Sequence, residues 1–198
     1  MSKIFQWDNP VWIFLGKLTD MVILTVLWMV CCIPVVTVGA STSALYDVSL
    51  KLAKNQEGYV FSSFFRAFRK HWRKGTAVWL GCVCAGVFLA SDIWLYSRME
   101  SSAGVVLLAS AGMLAVIFLM TFVYLFPFLA LYDMGVKRLI AAAFVTALKN
   151  PGWTLLMLVS AGGIAAVGIF VMAPFLVISA GLTAYIHAKI IFIVLQEV

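Results

Sequence analysis

The chain has 198 residues, of which 64% are hydrophobic and only 11% charged, with a formal net charge of +6 and a mean hydropathy of +1.07. An ordinary soluble domain carries roughly 25% charged residues and is about half apolar. So apolar a chain would expose large sticky patches in water, which argues against a soluble globular enzyme and predicts a single integral membrane domain over residues 1–198. The expected fold class is all-α: a polytopic transmembrane helical bundle of five or six spans with a cytoplasmic interfacial amphipathic helix.

Taken in chain order, the segment from Met1 to Pro10 lacks a short apolar core followed by a small-residue cleavage site. It does not read as a removable signal peptide, so the first apolar run is expected to stay. That run, from about Val11 to Ala53, is interrupted by Lys17 and Asp20 and diluted by Ser41 to Ser43. It reads either as one long span or as a tight hairpin turning near Pro34, with spans at 12–33 and 34–53. Residues 60–74 follow as the interfacial helix. Spans are then expected at 76–96 and 104–131, since a crossing needs about 20 predominantly apolar residues. The run from Trp153 to Leu195 is roughly twice the ~30 Å hydrocarbon thickness at 1.5 Å per residue. It therefore must turn back near Pro174, giving spans at 153–172 and 175–195.

Two short patterns recur. Asn9-Pro10-Val11-Trp12 is echoed by Asn150-Pro151-Gly152-Trp153, each copy followed by a further proline, Pro34 or Pro174. Ala44-Leu45-Tyr46-Asp47-x-x-x-Lys51 is echoed by Ala130-Leu131-Tyr132-Asp133-x-x-x-Lys137. Weak internal symmetry of this sort is frequent in transport-related membrane folds, and chance matching in a biased composition is the alternative.

Basic residues set the expected orientation. Lys51, Lys54, Arg66, Arg69, Lys70, Arg73 and Lys74 separate the first apolar run from the next, and Lys137, Arg138 and Lys149 lie between the later runs. Arg98 alone marks the loop between these groups. The positive-inside rule places the two basic regions in the cytoplasm, the Arg98 loop outside and the C-terminus inside. A hairpin at Pro34 puts the N-terminus inside and gives six spans; a single first span puts it outside and gives five.

The sharpest local signal lies in residues 60–74. Phe61, Phe64, Phe65, Phe68 and Trp72 follow the 3.6-residue period on one side of a helix, while Arg66, Arg69, Lys70, Arg73 and Lys74 occupy the rest. Such a helix suits the headgroup region, its aromatics in the acyl boundary and its cations against anionic lipid. It equally suits docking on a partner through the same ten residues. An aromatic face opposite the cations is committed to lipid or protein, so no nucleic-acid partner is expected.

Nothing in the sequence assembles an active site. Asp47 with Lys51 and Asp133 with Lys137 read as supporting i,i+4 pairs at span ends. Asp20, Asp92 and His187 are the other candidates for a proton or ion relay, and none is obviously central. The G-x-S-x-G, H-E-x-x-H and G-x-x-x-x-G-K motifs are absent, so no catalytic residue and no cofactor is expected. Cys31, Cys32, Cys82 and Cys84 lie in apolar stretches without neighbouring His or carboxylate ligands; they read as small hydrophobes, and no metal is expected.

The segment Cys32-Ile-Pro34-Val-Val-Thr37-Val-Gly39-Ala-Ser-Thr-Ser-Ala44-Leu45-Tyr46, followed by Glu57-Gly58-Tyr59 and Ser63-Phe64-Phe65-Arg66-Ala67-Phe68-Arg69-Lys70, resembles the YesL family of small bacterial multi-pass membrane proteins. The match is best from Pro34 to Trp72. Relatives often carry Pro in place of Ala40 and Asn in place of His71, so no role is carried over to those positions, and the family supplies no catalytic residues. The resemblance implies the bacterial cytoplasmic membrane and a genomic neighbourhood of carbohydrate ABC importers and polysaccharide-degrading enzymes. The expected function is accordingly an accessory or interaction protein, in contact with membrane lipids and with permease subunits of a carbohydrate ABC importer. The alternative is a small-molecule transporter or channel in its own right. For that reading Pro34, Pro127 and Pro174 would break helices at a site, and Thr25, Ser91, Thr121 and Ser160 are the few hydroxyls available, though hydroxyls more often bond their own helix backbone.

Overall fold

A computed structural model describes residues 10–54, 59–99, 101–170 and 173–196. They form seven α-helices and no strand among the described residues: α1 (Pro10–Cys32), α2 (Val38–Ala53), α3 (Val60–Tyr96), α4 (Ser102–Leu131), α5 (Val136–Lys149), α6 (Pro151–Phe170) and α7 (Ala173–Gln196). Prolines punctuate the boundaries as their chemistry requires. Pro10 and Pro151 each open a helix, where a missing N–H costs nothing. Pro34 sits extended, at φ −76° and ψ 113°, between α1 and a 3-10 turn over Val35–Thr37. The Thr37 hydroxyl reaches back to the carbonyls of Cys31, near the end of α1, and Pro34, which also accepts the Thr37 N–H. Pro127 is inside α4 and is tolerated there. Pro174 is in α7, and residues 171–172 beside it, where the expected turn would fall, lie outside the described residues.

Three of the described helical segments are long and apolar enough to cross a membrane: α3, α4 and residues 178–195 of α7. A fourth is available if α5 and α6, which meet at 102°, act as one broken span. Long stretches of α3 and α4 expose large apolar side chains, such as Phe88 at 66% and Val106 at 70%, that only lipid can solvate.

Two expected boundaries are drawn differently. Residues 60–74, read as a separate interfacial helix, and 76–96, read as a span, form one uninterrupted helix of 37 residues. Its cations are confined to the first half, whereas residues 75–96 run about 33 Å at 1.5 Å per residue with Asp92 as their only charge. The basic region between the expected spans 104–131 and 153–172, given no helix beyond the Asp133–Lys137 turn, contains α5, whose Leu139, Ala143 and Ala147 are buried at i, i+4 and i+8.

α2 is the structural centre. With 16 residues it is about 24 Å long, short of the hydrocarbon thickness. Eleven of those residues are buried, enclosed by α1, α3, α4 and α7. Its serines make this possible: small side chains let neighbouring backbones approach, and Thr42 and Ser43 return their hydroxyl protons to the carbonyls of Val38 and Gly39 at 2.7 Å. Gly39 and Gly75 mark the crossing of α2 and α3, where a Cβ on Gly75 would come within 2.9 Å of the Ala40 Cα. Around this centre one apolar cluster joins Leu24, Leu45, Phe64, Phe126 and Ala184, and a second joins Tyr124, Leu139, Met157 and Ile191. α4 contributes to both, holding the two halves of the molecule together.

Candidate functional site

The first half of α3 carries the residues singled out by the sequence. Successive aromatic rings pack along it: Phe61 tilted on Phe65 at 5.0 Å, Phe64 stacked on Phe68 at 6.3 Å and Phe68 edge-on to Trp72 at 5.1 Å between centroids. Phe64, however, is 0% exposed and belongs to the intramolecular core with Ala67, His71 and Gly75, so it faces α2 rather than lipid or a partner. Phe61, Phe65 and Trp72 remain exposed at 61%, 42% and 44%, with Phe68 half-buried behind them. Arg66, Arg69, Lys70 and Arg73 are exposed and Lys74 is half-buried. The stripe is therefore split: one edge clamps α3 to α2, and the other presents aromatics and cations outward.

Polar contacts meet this helix from two sides. On α2, Asp47 receives Lys51 at 2.8 Å, the expected i,i+4 pair, and also faces His71 Nε2 of α3 at 3.6 Å. The second expected pair is not formed. α4 ends at Leu131, Tyr132 turns extended, and Asp133 pairs with Lys74 of α3 instead of Lys137. The hydrogen bond and positive charge of Lys74 hold the Asp133 carboxyl below the usual carboxylate range. The two Ala-Leu-Tyr-Asp copies thus adopt different local structures, the first inside α2 and the second at a helix end.

A second constellation was not expected. Tyr46 Oη lies 2.8 Å from His187 Nδ1, and His187 Nε2 lies 3.0 Å from the Met157 carbonyl and 3.2 Å from Ser160 Oγ. Beside it, between α1, α2, α6 and α7, is a cavity of about 350 Å³ bordered by Trp28, Thr42, Tyr46, Ala161, Ser179 and Thr183. Trp28 Nε1 donates to Thr42 Oγ1 at 3.2 Å across it. Of the hydroxyls considered for a transport site, Ser160 joins this network. Thr25 instead accepts the Gly181 N–H at 2.9 Å, and Ser91 and Thr121 donate to their own helices. Asp92 lies on α3 and Asp20 on α1, both half-buried. Among the described residues no three His, Cys, Asp or Glu side chains converge as metal ligands would.

An all-helical chain whose long helices expose apolar side chains along most of their length is a membrane protein, built here around a buried polar helix. A family described as "Protein of unknown function, DUF624" matches residues 21–93, from Met21 of α1 to near the end of α3. "Uncharacterized protein YesL" of Bacillus subtilis (strain 168) is 31% identical over 153 residues, covering 77% of this chain and 72% of that protein. The chain belongs to the YesL family. No solved structure matches it.

Proposed function

We propose that the chain is a multi-pass accessory protein of the bacterial cytoplasmic membrane that docks on a membrane partner through the outward edge of α3. The permease subunits of a carbohydrate ABC importer are the partner we favour, from the genomic setting that family resemblance implies. The observation that supports docking is the split stripe: Phe61, Phe65 and Trp72 stay exposed beside Arg69 while Phe64 locks the same helix to α2. A surface mounted this rigidly loses little conformational freedom on binding, whereas lipid anchoring needs no such mounting. In this reading the basic regions and the C-terminus are cytoplasmic and the Arg98 loop is external. The crossings run to five or six, depending on whether the segment through Pro34 turns back.

Co-purification in detergent tests the docking, because bilayer charge is absent there. Changing Arg66, Arg69 and Arg73 together to Gln is expected to reduce recovery of the permease subunits. Unchanged recovery returns the helix to the role of a lipid anchor, its cations each worth about 1 kcal/mol at an anionic surface.

A second reading is a transporter or channel in its own right. The cavity beside Tyr46 and His187 favours it, since hydroxyls converge there on an otherwise apolar wall. Solute uptake by proteoliposomes containing only this chain would place the second reading first.

A further inference from the structure

A groove of about 320 Å³ runs between α3, α4 and α5, walled by Ala77, Gly81, Ala85, Phe118, Thr121 and Ile140. Gly81 opens it: a Cβ built there meets nothing within 4 Å. At about 320 Å³ the groove is smaller than two turns of a helix, whose diameter with side chains is about 10–12 Å. A hydrocarbon chain has the right bulk and the right chemistry for these walls.

Charge gathers at one end of this groove. Along α3 the 3.6-residue spiral puts Lys70 and Lys74 on the same side as Gly81 and Ala85, about two to four turns earlier. Phe61, Phe65 and Trp72 fall on the opposite side, so these lysines are separate from the docking edge. On α5, Lys137 directly follows Val136, which also lines the groove. Lys74 binds Asp133 and, at 3.5 Å, the Met134 carbonyl, which brings the start of α5 against the same stretch of α3. Across 70–85 and 118–140 the sequence carries five cations, Lys70, Arg73, Lys74, Lys137 and Arg138, against the single carboxylate of Asp133. Lys70 is close enough to act on Asp133 electrostatically and is otherwise exposed.

We infer that this is a binding site for an anionic glycerophospholipid, with one acyl chain in the groove and the phosphate held by Lys70, Lys74 and Lys137. The apolar half of α3 starts at Gly75, directly after the lysines, as the boundary between headgroup and chain in such a ligand requires. A free phosphate compound would meet the cations but leave the groove empty, and a neutral lipid would fill the groove without engaging the excess charge.

Native mass spectrometry of the detergent-purified full chain, given an equimolar mixture of phosphatidylglycerol and phosphatidylcholine, tests the site. Wild type is expected to retain phosphatidylglycerol preferentially, and glycerol 3-phosphate in excess is expected not to displace it. K70Q and K137Q should each lower that preference about fivefold, the equivalent of about 1 kcal/mol per charge at an anionic lipid. G81L, which puts a side chain into open space, should lower retention of both lipids while leaving the charge preference of any residual binding intact. Equal retention of the two lipids by wild type, displacement by glycerol 3-phosphate, or G81L binding at wild-type level would each overturn the inference. So would a polypeptide adduct, or a second copy of the chain, in place of lipid. All three substitutions lie on exposed or open positions, and a monodisperse elution profile separates lost binding from lost fold.

Discussion

Tyr46 and His187 stand 141 positions apart in the chain, yet their polar atoms meet at 2.8 Å and join α2 to α7. The partners fix the proton arrangement. A carbonyl only accepts, so the His187 Nε2 that faces the Met157 oxygen carries the hydrogen. In the neutral ring Nδ1 is then an acceptor, and the Tyr46 hydroxyl donates to it. Ser160 also donates to the Met157 carbonyl, at 2.9 Å, closing the group on α6. Three helices are tied at one buried imidazole, and the tie has one consistent donor order.

Replacing Tyr46 with Phe removes that donor and leaves Nδ1 buried without a partner, at a cost of about 1–3 kcal/mol. Thermal unfolding in detergent should show a clear drop for Tyr46→Phe. In a double-mutant cycle with His187→Phe the second change should add less than it costs alone. Fully additive losses would mean the two residues contribute separately.

The α2–α3 crossing makes a second prediction. Gly39→Leu drives a side chain into the backbone of α3 at Gly75, which has no flexible end to move aside, and should cost about 3 kcal/mol or more. Gly112→Ala is the matched control. Its added methyl meets nothing within 4 Å, and replacing a mid-helix glycine gains up to about 1 kcal/mol. Apparent melting temperatures of the two variants should move in opposite directions.

Acid should release the Lys74–Asp133 contact. Because the folded-state pKa of Asp133 is lowered, its stabilising contribution is fully present above the unfolded value of about 3.9 and is lost as pH falls through the folded value. The pair is solvent-exposed, so the effect is small and screened by salt. Asp133→Asn should therefore differ from wild type at neutral pH in low salt and converge with it in acid. A difference that persists below both pKa values would assign the effect to something other than charge.

Orientation is open to direct labelling. In a background without the four native cysteines, Ser101→Cys is expected to react with an impermeant maleimide in intact cells, and Lys137→Cys only after permeabilisation. Reversed labelling would turn the molecule over and with it the cytoplasmic assignment of α3.

Composition and periodicity made the class legible, and α4, Ser102–Leu131, falls within two residues of the expected 104–131. Where hydropathy misled was α2. Ser41, Ser43 and Ser49 dilute its apolar character, which reads as the weak end of a lipid-facing span, whereas these small residues sit inside the protein. The aromatic period of α3 was visible, but not that Phe64 turns inward, because only α2 determines which edge is covered. The helix α5 was missed although Leu139, Ala143 and Ala147, flanked by Lys137 and Lys149, carried a readable stripe. Lys74–Asp133 and Tyr46–His187 join residues 59 and 141 apart, and no local pattern encodes such pairs.

The unbroken course of α3 has a mechanical meaning. A break near residue 75 would let the cation-bearing end swing while the membrane end stayed still; a continuous helix contains no such joint. Anything that pulls on Arg66 or Arg69 must move the whole rod, and Trp94 at its far end moves with it. Because the backbones of α2 and α3 meet at Gly39 and Gly75, and Asp47 and Asp133 hold the same stretch of α3, such a movement is passed on to α2 and to the turn before α5.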